Sequence, residues 1–168
     1  MISMAFQLFL ESLRIRIDEL GKDHQDVSFT LYNVGLCHQL LGNSADAILC
    51  FEETLRIERL NLGKDHKDVA LTLFKLAEAH RNGGNEKEAL KCFQDTLKAT
   101  GLRPITIARA HNEIANILLD QGDVDGSIEA FVASARHYRK AGRSIDSVRV
   151  SPALKIHRAA FGLAAALA

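Results

Sequence analysis

The phrase LGKDH-x-DV occurs twice in this chain of 168 residues, at 20–27 and at 62–69, with the copies 42 positions apart. A duplicated Asp-His pair suits two explanations. It is either a metal or catalytic device used twice, or the joint of a repeated structural unit. The residues between the copies decide. AFQLFLESLRIRIDELGKDH (5–24) lies over AILCFEETLRIERLNLGKDH (47–66) with 11 of 20 positions identical. Beyond the phrase, Val27, Thr30, Leu31, Gly42, Asn43, Ala47, Cys50, Phe51, Thr54 and Leu55 recur as Val69, Thr72, Leu73, Gly84, Asn85, Ala89, Cys92, Phe93, Thr96 and Leu97. A fainter third copy follows at a spacing of 38, where Ala77, Gly84 and Phe93 recur as Ala115, Gly122 and Phe131. Similarity that runs through whole units marks a repeat architecture, not a duplicated site.

Within a unit the apolar spacing is helical. Ala47, Phe51, Thr54 and Leu55 stand at i, i+4, i+7 and i+8, one face of a helix. Two prolines, no tryptophan and abundant Ala, Leu, Glu, Lys and Arg favour the same element. The helices are punctuated by GNSAD at 42–46, GNEKE at 84–88 and GDVDG at 122–126. Glycine there can close a helix in the left-handed conformation. Asn43 and Asn85 are placed to cap the next helix, with Asp46 and Glu88 three residues on. Each unit is therefore expected to be two antiparallel helices joined by a tight turn. Gly35, Ala77 and Ala115 on the first helices, and Ala47, Ala89 and Ser127 on the second, are small where the pair must approach closely. Phe9, Phe51, Phe93 and Phe131 fill the space between units, so stability comes from stacking.

The repeated phrase then has a structural explanation. Leu20 and Leu62 close the outgoing helix, Gly21 and Gly63 turn the chain, and Asp23, Asp26, Asp65 and Asp68 stand near the positive start of the next helix. His24 and His66 read as packing or capping groups. Equivalent atoms in successive units lie on the order of a helix diameter, ~10 Å, apart, too far for the two joints to share a metal.

The pattern of Leu, Gly/Ala, Gly, Ala, Phe and small residue at these intervals resembles a tetratricopeptide repeat. The 42-residue period with LGKDH-x-DV-x-x-TL at the joint resembles the long-loop variety of kinesin light chains and related scaffolds. The resemblance implies an all-α fold, an α-α superhelix of about three and a half repeats. The array would occupy 1–143, as a half repeat at 3–19 and repeats at about 25–61, 67–100 and 104–141, with a basic then apolar tail at 144–168. Two departures stand out. Gln25 and Lys67 follow the joint histidines where the family usually has proline. The third unit lacks the LGKDH joint and carries Gly126 inside its second helix, at a cost of about 1 kcal/mol relative to alanine.

In the resembled family the first helices line a concave groove that takes extended peptides. Carried over by position, the groove shows Phe29, Tyr32, Asn33, Leu36 and Gln39, then Leu71, Phe74, Lys75, Glu78 and Arg81, then Arg109, Asn112, Glu113 and Asn116. Kinesin light chains commonly carry Asn at the place of Asn33, where Lys75 and Glu113 stand in the next two units. The chemistry suits peptide capture: asparagine offers a donor and an acceptor to a backbone. Tyr32 and Phe74 supply anchoring area, and Arg81 and Arg109 can fork onto carboxylates. Tyr32, Asn33, Phe74, Lys75, Arg81 and Asn112 are the expected centre of such a site; the competing account makes the polar members a solvated face.

Chemistry-bearing motifs are missing. The chain has no GxxxxGK[ST], GxGxxG, HExxH or GxSxG. GDVDGS at 122–127 fails as a calcium loop, because aligning Gly126 with the invariant glycine puts Val132 where the last ligand must be Glu. His38 and His80 share a register at which the family favours an aromatic and read as satisfied, partly buried histidines. His111, His137 and His157 show no ligand spacing, and Cys50 and Cys92 read as core. The expectation is a protein without catalysis, cofactor or metal.

A net charge of zero gives no whole-chain case for nucleic acid. Residues 1–135 carry 14 basic and 20 acidic side chains, whereas 136–168 carry seven basic ones and only Asp146. That basic end is either a solvated face or a patch for an acidic partner or anionic membrane. Three cysteines without a CxxC point to a reducing, cytoplasmic setting. MISMAFQLFLESL lacks the marks of a signal peptide, and AAFGLAAALA is too short to span a bilayer, so no transmembrane segment is expected. The resemblance implies a protein or peptide partner. A structural or oligomerising segment is the competing reading. In SPALKIHRAAFGLAAALA, Pro152 suits the first turn of a last helix, with Leu154, Phe161 and Leu163 as apolar anchors. That helix caps the array, self-associates with another chain, or marks a piece of a longer array.

Overall fold

The computed structural model describes residues 2–143; the expectations for the tail, from Pro152 to Leu163, lie outside the described residues. Those residues form seven α-helices and no strand: α1 (Ile2–Leu20), α2 (Gln25–Leu40), α3 (Ser44–Leu62), α4 (Lys67–Asn82), α5 (Glu86–Thr96), α6 (Pro104–Asp120) and α7 (Val124–Lys140). The fold is all-α, of the helical-repeat class. Two compact units divide it, one holding α1–α5 up to Gly101 and one beginning at Leu102 with α6 and α7. In the first unit each helix packs on the next in the chain; in the second, α6 packs on α7.

The joint histidines are helix caps. His24 and His66 have extended backbones, and their Nδ1 atoms accept from the N–H of Asp26 at 3.1 Å and of Asp68 at 3.2 Å. Each cap satisfies an N–H that the helix itself cannot, and Asp26 and Asp68 add favourable charge in the same turn. We expect His66→Ala to lower the thermal stability by about 1 kcal/mol, with most of it restored in His66→Asn, asparagine being a strong cap. An equal loss in both variants would remove capping as the reason.

The turn asparagines act differently from the sequence expectation. Asn43 and Asn85 stand at the N-cap positions of α3 and α5, yet neither side chain makes a cap hydrogen bond. Their backbones work instead. With Gly42 and Gly84 at φ +79°, Asn43 N–H donates to His38 O at 2.9 Å and Asn85 N–H to His80 O at 2.8 Å. This is the Schellman closure of α2 and α4.

Gly126 also finds a reason. Its N–H donates to Asp123 Oδ1 at 3.0 Å, and a Cβ there would lie 2.5 Å from Asp123 Oδ2. The glycine makes room for the cap of α7, and that cap, worth about 1 kcal/mol, offsets the poor helix propensity.

The repeated small residues and phenylalanines form the core. Ala47, Ala77, Ala89, Ala115 and Ser127 are fully buried, as are Phe51 and Phe93. Gly35 is obligatory for its pair, since a Cβ on it would stand 2.8 Å from Phe51 Cε1. Around Phe51, Ala47, Leu55, Val69, Leu73, Leu76 and Ala79 make one apolar cluster. The histidines at 38 and 80 are partly buried, as expected; their Nδ1 atoms make no hydrogen bond, and that of His38 stands 3.6 Å from Asp46 Oδ2. His38 serves as an aromatic disc, edge-on to Phe6 with ring centroids 4.8 Å apart.

Candidate functional site

The first helices of the two full repeats, α2 and α4, bound a cavity of about 260 Å³. Gln25, Phe29 and Tyr32 come from α2, Asp68, Leu71 and Thr72 from α4, and Glu58 from α3. The helical period sets this arrangement: 25, 29 and 32 share one face of α2, and 68, 71 and 72 one face of α4. Phe29 is 64% exposed and Leu71 39% exposed, so the groove offers apolar surface to solvent. Beside them stand two carboxyl groups and the Thr72 hydroxyl.

Tyr32 borders this cavity, packing a tilted ring on Phe51 at 5.7 Å. Phe74, its equivalent 42 residues on, differs: only 3% exposed, it lies edge-on to Phe93 at 5.2 Å. Phe74 is a core residue and no groove anchor, because its ring sits against the fully buried phenylalanine of the second helix. Leu36 is half-buried against the Phe51 cluster. Asn33 turns its Nδ2 to Phe29 O at 2.7 Å, a bond within its own helix. Lys75 and Glu78 are half-buried and paired with each other at 2.7 Å, and Arg81 is half-buried near the end of α4. In the second unit Arg109 is exposed, whereas Asn112 and Asn116 are only 3% and 8% exposed. These two asparagines are interior groups on α6 and not open groove positions; Asn112 Oδ1 makes no hydrogen bond.

Sequence reading missed Glu58. At 6% exposure it is buried, and its Oε2 has no hydrogen-bond partner. Burial pushes its carboxyl up to about 7, with Asp68 adding to the rise and a hydrogen bond with Thr72 opposing it. The signal was present in the repeat. Glu58 has the register of Arg16, whose guanidinium donates to Asp26 O at 3.0 Å and to Thr30 Oγ1 at 2.8 Å. Thr30 and Thr72 are themselves register equivalents, so a cation at one joint is replaced by an acid at the next.

A second missed feature is the stack of His111 on His137, with ring centroids 5.9 Å apart and an interplanar angle of 17°. Burial holds both below the ordinary histidine value. The rings repel each other's charge on the His111 side, and Lys140 and Arg136 add to the effect at His137. No three His, Cys, Asp or Glu side chains converge as metal ligands among the described residues. Burial also raises the Cys50 thiol and pushes Cys92 up to about 11, which keeps both in the unreactive protonated form. Among the described residues, no helix is long and apolar enough to cross a membrane.

Tetratricopeptide-repeat family profiles match residues 3–59 and 71–99, together just over half of the chain. No curated protein matches the chain significantly in sequence. Solved structures do match in fold. The nearly identical TPR-like repeats assigned to a Podosopora anserina kinesin light chain superpose with a TM-score of 0.72 at 19% identity, covering 83% of this chain and 68% of that one. BtubC (BKLC) from P. vanneervenii gives 0.77 at 15% identity over 90% of this chain and 60% of its own. MamA gives 0.61 at 15% identity over 84% and 79%. Helix pairs with buried Gly/Ala/Phe stripes, family profiles and shared fold agree: the chain belongs to the tetratricopeptide-repeat family.

Proposed function

We propose that the chain is a non-catalytic scaffold or adaptor of the cytoplasm that holds an extended peptide segment of a protein partner against α2 and α4. The observation that carries this reading is the groove between those helices, where Phe29 and Leu71 stay exposed beside polar groups able to orient a main chain. Stacked helix pairs present concave surfaces of this kind, and the family serves protein interaction in general. Three free cysteines with buried or half-buried side chains support a reducing compartment.

The test uses the two exposed residues, since Tyr32 also supports Phe51. A Phe29→Ser, Leu71→Ser variant should capture at least tenfold less of a partner that the unaltered chain retains from lysate, at unchanged helical circular dichroism. Equal capture by both would move the working surface elsewhere.

One observation favours a second reading. On α1, Met4, Leu8 and Ile15 are 70%, 61% and 46% exposed, an apolar helix face of the sort that joins chains in a larger assembly. Under that reading, light scattering shows a mass that grows with concentration and falls to the monomer in Leu8→Glu, Ile15→Glu. A strict monomer at high concentration removes it.

A further inference from the structure

The groove between α2 and α4 contains more than apolar walls. Glu58 is more than nine-tenths buried, lines the cavity, and leaves Oε2 without a partner. A second carboxylate, Asp68, lines the same cavity, and two aromatic rings, Phe29 and Tyr32, complete it. Acids beside aromatic faces match one kind of side chain. A cation can pair with the carboxyl groups while its flat or polarised surface lies on the rings.

We propose that this cavity is a side-chain subsite for an arginine of the partner peptide, with the Glu58 carboxylate as the group that receives the guanidinium. The inference deepens the peptide-scaffold reading and rests on it. Two observations select arginine. The receiving carboxyl is buried, and guanidinium gives up its hydration more readily than ammonium. The chain also places a guanidinium beside the equivalent threonine one repeat earlier, where Arg16 donates to Thr30 Oγ1 and to the Asp26 carbonyl. At the equivalent place beside Thr72 the chain supplies an acid, and the cation comes from outside. Leu71 and Phe29, both solvent-exposed, flank the entry and can cover the methylene stem of the incoming side chain. Without such a ligand the Glu58 carboxyl is pushed up to about 7; a paired cation would draw it down.

The experiment titrates the full chain with Nα-acetyl-arginine amide. It follows the Glu58 side-chain carboxyl and the Leu71 methyl groups by carbon-detected and methyl NMR. The expected result is saturable movement of both signals. Nα-acetyl-citrulline amide, the neutral isostere, should bind at least tenfold more weakly, as should the arginine probe to Glu58→Gln, whose methyl spectrum serves as the folding control. Equal binding of citrulline would reduce the cavity to an apolar subsite and overturn the proposal. So would an Nα-acetyl-lysine amide that binds as tightly as the arginine probe, or a Leu71 signal that never moves. The failure of the scaffold reading looks different: the probe binds at Glu58 while Phe29→Ser, Leu71→Ser leaves partner capture intact. Capture lost in that variant but unaffected by Glu58→Gln keeps the scaffold and removes the arginine.

Discussion

Replacing Phe51 by alanine is expected to lower stability by about 3–5 kcal/mol, the usual cost of deleting a buried aromatic ring. The ring is fully buried, lies against Gly35, and packs in one apolar cluster with residues of α3 and α4. Relaxation cannot fill the space cheaply, because the facing position is a glycine with no side chain to move in. The gain in helix propensity on going to alanine is about 0.5 kcal/mol and does not change the sign. Urea denaturation followed by circular dichroism reads the loss as a lower midpoint. Phe9→Ala is the control: the same register on α1, but a half-buried ring, and less than half the loss. Equal losses in the two variants would contradict the placement of the core, and an unchanged midpoint in Phe51→Ala would end it.

That contrast shows what the sequence could and could not carry. A 42-residue repeat makes Phe9, Phe51 and Phe93 look interchangeable, and it correctly assigns all three to second helices. Glycine turns and small residues at close contacts were equally legible, because each follows from local spacing. Burial is a tertiary quantity and breaks the equivalence. Tyr32 and Phe74 share a register and both lie on the next phenylalanine, yet one rims a groove and the other is sealed in the core. Asn43 looked like a cap by residue type, yet its side chain makes no cap bond and its backbone N–H closes the preceding helix instead. Among the site residues, Asn112 and Asn116 read as groove positions by transfer from a family, while their own unit buries them. Glu58 was overlooked for the opposite reason. A lone Glu near a helix end reads as solvated, and only its comparison with Arg16 across the repeat, together with its burial, singles it out.

Glu58 carries the other large effect, and its direction follows from proton counting. The carboxyl titrates near 4.5 when unfolded and at about 7 in the folded chain. Between those values the native state holds more protons than the unfolded one, so stability falls as pH rises. The group's contribution is fully present below 4.5 and lost by the time pH passes 7. The separation of the two values amounts to about 3 kcal/mol. Glu58→Gln removes the charge but keeps the shape and an acceptor for Thr72. It should therefore be more stable than the unaltered chain by about 2–3 kcal/mol at pH 8, part of the gain going to the buried amide. At pH 4 the advantage should vanish. The measurement is the difference between the two chains' urea midpoints across this range, in which the titration of all other groups cancels. Parallel curves would mean that the carboxyl stays hydrated, and both its burial and the arginine subsite built on it would fall. A difference that opens between pH 4.5 and 7 would show a chain that loses stability at neutral pH to keep an acid in its groove. A fold gains nothing from such an acid, whereas a binding site does.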